Sequence, residues 1–225
     1  MSALVYWLTQ TLADIPANHD WLSEKERSIL GGLRFEKRRN DWLLGRWTAK
    51  QAICASQLRP EPVLAALEII AAEDGAPEAF WESEPANVSI SISHSNARSF
   101  CAVGPSGVSM GCDLERVEPR DDLFFSDYFT AKEMMLCNNA PVEKALAVNL
   151  IWSAKESMLK AMREGLRRDT RSVQVHPDFR GSGGRWNNWT GRCSQSSRNF
   201  YGWWAFWDGY VYTLVADRFL EPSGL

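Results

Sequence analysis

The sequence is short of the features by which several protein classes are known. Its 225 residues include five cysteines (54, 101, 112, 137 and 193), odd in number, scattered and without a C-x-x-C pair. That excludes a disulfide scaffold and a cysteine-based zinc site, and a reducing cytoplasm suits it. No window approaches 18 uninterrupted apolar residues, which a membrane-spanning helix demands. The opening apolar run extends only from Leu4 to Leu8, with no basic residue before it and Asp14 soon after, so no signal peptide is read. Positive charge is scarce as well. With 25 Lys and Arg against 28 Asp and Glu the net charge is −3, where a nucleic-acid binder would carry a strongly basic domain. The expectation is a cytoplasmic protein with no nucleic acid and no membrane among its partners.

What is present is ample for a core, since 45% of residues are hydrophobic. A length of 225 allows one large domain or two halves. The Gly104-Pro105-Ser106-Gly107 turn near the middle sets the expected boundary, giving halves of residues 1–105 and 106–225. Residues 3–8 suit a strand. Ser23-Glu24-Lys25-Glu26 opens a helix with a capping box, and Trp42, Leu43, Trp47 and Ile53 recur at helical spacing over 36–53. Lys37, Arg38, Arg39, Arg46 and Lys50 give that second helix an expected cationic face, and Pro60 and Pro62 end it. Residues 66–72 make a short strand, and Val88 to His94 alternates without a break into the strongest strand signal, with 99–103 as its partner.

In the second half, 107–114 reads as a strand, Glu118 to Asp122 as an acidic loop, Thr130 as the start of a short helix and 143–162 as a long one. Strands follow at 172–175, 185–189, 201–207 and 210–216, with Asp208-Gly209 the hairpin turn between the last two. The Trp-rich tail reads as packing. Helices mixed with antiparallel strands in both halves define an α+β protein.

Chemistry concentrates in two stretches. Gly111-Cys112-Asp113-Leu114-Glu115 ends a strand, so Asp113 and Glu115 share one face. Trp152 to Lys160 is helical, and Glu156 and Lys160 stand four apart on one side. If the helix crosses the strand end, three carboxylates and an ammonium meet. Hard oxygen ligands of that number suit Mg²⁺, which takes its remaining ligands from water and substrate phosphates, and Lys160 would hold such a phosphate. Glu133 has a purely local explanation, because Thr130-x-x-Glu133 is a capping box with Phe129 and Met134 as its staple.

These residues resemble the signature of the surfactin-synthetase (Sfp) type of 4′-phosphopantetheinyl transferase, a G-x-D-x-E segment followed by W-x-x-K-E-x-x-x-K. Here they are Gly111, Asp113 and Glu115, then Trp152, Lys155, Glu156 and Lys160. Ser93-His94-Ser95, Phe129 to Glu133 and Gly45-Arg46 agree further, so the resemblance runs from about residue 33 to about 166. It implies two similar α+β halves packed about a pseudo-twofold axis, although no repeat is visible in the sequence. It also implies Mg²⁺ on Asp113, Glu115 and Glu156, and coenzyme A as donor, held by Lys37, Arg46, His94, Asp113, Lys155 and Lys160. Lys155 is open between a substrate contact and a structural role. The implied reaction moves the 4′-phosphopantetheine arm to a serine of an apo acyl- or peptidyl-carrier protein, with Glu133 as general base and Lys160 assisting, and 3′,5′-ADP leaving. The enzyme is expected to be a monomer, with exposed apolar residues between Leu123 and Leu136 as the carrier's docking face. Gly75-Ala76-Pro77 departs from the Gly-Lys-Pro of some relatives, so that lysine contact is absent. Two other readings stay open: a non-catalytic carrier-binding module, and a Mg²⁺-dependent phosphotransferase on another nucleotide-like substrate.

Overall fold

A computed structural model of the chain describes residues 3–59, 63–179, 186–195 and 198–225. Pro60, Pro62 and Arg185, which figured in the sequence expectations, lie outside these. Two units separate: the described residues up to Val108 together with Glu221–Leu225, and Ser109–Leu220.

The first unit runs β1 (Leu4–Thr11), α1 (Glu24–Gly32), α2 (Glu36–Ser56), β2 (Leu67–Ala71), β3 (Pro77–Trp81), β4 (Glu84–Pro85), β5 (Val88–Ser95) and β6 (Arg98–Pro105). The capping box forms as expected, Ser23 Oγ accepting from Glu26 N and Glu26 Oε2 accepting from Ser23 N. α2 lays Ala49, Ala52 and Ile53 against Ile90, Cys101 and Val103 of β5 and β6, where burial of each Ile or Val side chain contributes about 1.5–3 kcal/mol. One expectation fails here. Lys50 is not on a solvated cationic face but fully buried, bonded to Glu26 of α1 at 2.5 Å. The mid-chain turn is also shorter than its sequence suggests. Gly104 and Pro105 stay in β6, and the chain reverses at Ser106-Gly107, where Gly107 takes φ +78°.

The second unit runs β7 (Met110–Arg116), α3 (Asp122–Tyr128), α4 (Ala131–Asn138), α5 (Lys144–Ala161), β8 (Val173–Pro177), β9 (Asn187–Cys193), β10 (Asn199–Trp207) and β11 (Tyr210–Ala216). Its strands form one antiparallel sheet in the order β7-β11-β10-β9-β8, and α5 packs across β7, β11 and β8. Leu150, Ile151, Ala154, Met158 and Leu159 of the helix meet Val173, Val175, Trp189, Phe200 and Trp204. Of the Trp-rich tail, Trp189 and Trp204 lie in this core, while Trp186, Trp203 and Trp207 are half-buried. After β11 the chain returns to the first unit as β12 (Glu221–Gly224), parallel to β1, completing a sheet ordered β12-β1-β6-β5. The fold is α+β. No helix of the described residues is long and apolar enough to cross a membrane.

Candidate active site

Gly111 explains why the two motifs meet. A Cβ at that position would lie 2.0 Å from the Ser157 carbonyl oxygen and 2.8 Å from Ala161 N, so only glycine lets β7 press against the backbone of α5. Small hydroxyls seal the same contact from β11. Thr213 Oγ1 lies 2.9 Å from Ser153 Oγ and 2.5 Å from Ser157 Oγ, and donates to the Ser153 carbonyl.

With strand and helix this close, Lys160 Nζ donates to Asp113 Oδ1 at 2.8 Å and to the Cys112 carbonyl at 3.1 Å. Asp113 is 4% exposed. Burial, the largest single influence, works to lower the Lys160 pKa, but Asp113, Cys112 and Glu156 together outweigh it, and the ammonium is held above its ordinary range. Glu156 sits beside them. Its Oε1 is buried and bonds no group among the described residues, and its pKa is pushed up to about 7 by burial and by Asp113, against the pull of Lys160. Glu115 is also raised to about 7, first by burial and then by Asp113.

Glu115 is clamped. Trp152 Nε1 donates to Oε1 at 2.9 Å and Arg120 Nη2 to Oε2 at 3.1 Å. Arg120 is held in turn, its Nε donating to Asn149 Oδ1, while Asn149 Nδ2 bonds the Glu118 carbonyl. Trp152 is wedged by the rings of Phe124 and Tyr128 from α3. Sequence reasoning missed Arg120 and Asn149. The signal was a lone arginine inside an otherwise acidic loop, facing the strand's glutamate.

The donor set fits a divalent cation in chemistry. Three hard carboxylates, two of them raised to about 7, are short of positive charge, and a buried Glu156 oxygen awaits a partner. As the side chains lie, no group of three or more His, Cys, Asp or Glu is gathered to hold a metal among the described residues. Arg120 and Trp152 occupy Glu115, and Lys160 occupies one oxygen of Asp113.

Glu133 and Lys155 stand apart from this cluster. Glu133 is 3% exposed, and its Oε2 accepts from Thr130 N at 2.9 Å, closing the expected capping box. The same oxygen lies 3.0 Å from Nζ of Lys155, which is fully buried and donates to the carbonyls of Thr170 and Val173. Burial lowers the Lys155 pKa while Glu133 opposes it.

The remaining expected residues belong to the first unit. Arg46 stacks over the Trp42 ring at 4.3 Å, and its Nε is buried with no hydrogen-bond partner among the described residues. Burial lowers its pKa to about 10, which leaves it charged at neutral pH. His94 is exposed at the end of β5, its Nδ1 3.8 Å from Asp41 Oδ2, and Lys37 is exposed on the first turn of α2.

Residues 109–215 match the family model of the 4′-phosphopantetheinyl transferase superfamily (ACPS). The match spans the whole constellation from Gly111 to Thr213. The crystal structure of Thermotoga maritima holo-[acyl-carrier-protein] synthase (AcpS) is similar at 16% identity and a TM-score of 0.35, over 58% of this chain and 76% of that one. No curated protein matches the chain.

Proposed function

We propose that the chain is an Sfp-type 4′-phosphopantetheinyl transferase, moving the arm of coenzyme A to a serine of an apo acyl- or peptidyl-carrier protein in the cytoplasm. The observation that carries the reading is the Gly111 contact, which sets Asp113, Glu156 and Lys160 side by side within the matched segment. Asp113 and Glu156, flanked by Glu115, would hold Mg²⁺. When bound, the ion supplies charge neutralisation at the pyrophosphate of coenzyme A. Lys160 orients the same pyrophosphate by donating to it. Arg46, with an unsatisfied buried donor, and the nearby basic Lys37 are suited to a phosphate, and His94 offers a ring nitrogen to another. The serine oxygen forms its bond to the β-phosphorus as the bond to the bridging oxygen breaks. The serine proton leaves to a base, and 3′,5′-ADP departs.

Leu123, 71% exposed, and Met135, 65% exposed, give α3 and α4 an apolar surface for the carrier. The test is incubation with coenzyme A, Mg²⁺ and several apo-carriers, followed by intact mass. Gain of the phosphopantetheine mass by a carrier supports the reading. Its absence with every carrier, or turnover of a different nucleotide-like donor, would refute it.

A further inference from the structure

The Glu133–Lys155 pair has a twin in the other unit. In the second unit Thr130 caps α4, Glu133 at its third residue reaches back to the cap, and the same oxygen meets a lysine from the long helix α5. That lysine also donates to Thr170 and Val173 carbonyls, at the start of β8. In the first unit Ser23 caps α1, Glu26 at its third residue reaches back to the cap, and the same oxygen meets Lys50 from the long helix α2. Lys50 likewise donates to the Leu64 carbonyl just ahead of β2, and to Trp21 O. Both lysines and Glu26 are 0% exposed.

The recurrence matters because the first unit carries neither the Asp113 motif nor the Glu156 motif. A device present in both units belongs to the way each unit ties a short helix, a long helix and the next strand together. Glu133 is also poorly placed for a serine. Its Oε2 is saturated by the cap and the ammonium, and its Oε1 has no exposed surface. What the pair does fix is the rotation of α5. Lys155 is anchored on one side of the helix by three oxygens, and the next residue, Glu156, is thereby presented to Asp113 together with Lys160.

We infer that Glu133 and Lys155 are positioning residues that act through Glu156 and Lys160, and that the serine proton goes not to Glu133 but to water or to a group beside the metal. The kinetic part rests on the transferase reading above. The rest does not.

The experiment compares Glu133→Gln, Lys155→Met and the double variant with the native protein, using Mn²⁺ alone as the metal probe, thermal melting, and transfer at varied Mg²⁺. Glutamine keeps the cap bond, so Glu133→Gln folds. Each single variant leaves half of a buried pair uncompensated and should melt lower and bind Mn²⁺ about 10–100-fold more weakly, the usual loss when a supporting group is removed. The double variant, with neutral groups of similar volume, should recover most of both. At saturating Mg²⁺ the kcat of the double variant should stand within about tenfold of native, the loss appearing as a raised KM for the metal. Glu26→Gln, Lys50→Met and their double variant should repeat the melting pattern.

Unchanged Mn²⁺ affinity in Glu133→Gln, with kcat down by about 10² to 10⁴ in both single and double variants, would overturn the inference and make Glu133 the base. A native protein that binds no Mn²⁺ would overturn it too, as would a Glu26→Gln variant that melts like native. Absence of native turnover with every carrier would sink the transferase reading, while the Mn²⁺ and melting patterns would still decide this one.

Discussion

Raising the pH of the metal-free protein should destabilise it. The Glu156 carboxyl stands at about 7 in the folded protein against 4.5 ordinarily, because burial and Asp113 disfavour its charge more than Lys160 favours it. A raised folded pKa means that between pH 4.5 and 7 the native state holds a proton that the unfolded chain has released. The stability this proton contributes is present in full below the unfolded pKa and is lost as pH rises through the folded one. Between pH 5.5 and 8 the difference spans roughly 1.5 pKa units, or about 2 kcal/mol at 1.36 kcal/mol per unit. For a chain of this size that lowers the melting midpoint by about 4–8 °C. Glu115 is raised by the same neighbour, so its share is not simply added. The assay is thermal melting in chelator at pH 5.5 and pH 8 for the native protein and for Glu156→Gln, which has no proton to lose. The native midpoint should fall more steeply with pH than that of the variant, and Mg²⁺ should restore it at pH 8. Equal pH slopes in the two proteins would refute the reasoning.

Asp113→Ala or Glu156→Ala should abolish transfer while circular dichroism stays native, and normal turnover by the folded double variant would refute the metal role. Arg46→Ala should weaken binding of coenzyme A more than that of 3′-dephospho-coenzyme A, measured by calorimetry; equal losses would put Arg46 elsewhere. Gly111→Ala drives a methyl into the Ser157 carbonyl and should cost about 1–3 kcal/mol or more, lowering the melting midpoint and activity together. A native-like melt would show that β7 and α5 yield cheaply. Arg120→Ala removes a charge that lowers the Glu115 pKa, so Mn²⁺ affinity should fall about tenfold at pH 7 and recover by pH 8.5. A loss that persists at pH 8.5 would point to lost geometry instead.

The sequence made the fold legible wherever periodicity or a cap was local. β5 alternates, the Ser23 and Thr130 boxes sit at the first turns of their helices, and Asp208-Gly209 turns β10 into β11. α3 lies between the acidic loop expected over Glu118–Asp122 and the helix expected from Thr130, and it escaped because it is only seven residues long; its signal was Asp121, which caps Phe124 N. β3 and β4 escaped because their hairpin turns on Glu82 and Ser83 at positive φ, residues that do not advertise such a turn. The candidate site was legible in its motifs, since strand and helix spacing alone aligned Asp113, Glu115, Glu156 and Lys160. Its electrostatics were not. That Lys155 and Lys50 are buried against glutamates more than 20 residues earlier depends on tertiary packing, and a lysine in a helix looks the same in sequence whether solvated or entombed.

The return of β12 to β1 makes the first unit discontinuous along the chain. On a ribosome, everything that this unit needs except one strand emerges before the second unit begins, and the missing strand emerges only after the whole of that second unit. Until Glu221–Gly224 arrive, β1 offers the unpaired hydrogen-bonding edge of Leu4 to Trp7, an invitation to pair with a neighbouring nascent chain. The strand that closes it is four residues long and contains Pro222, which has no amide hydrogen to extend the sheet further. A chain stopped after Leu220 should thus keep the second unit whole while its first unit gains a tendency to self-associate.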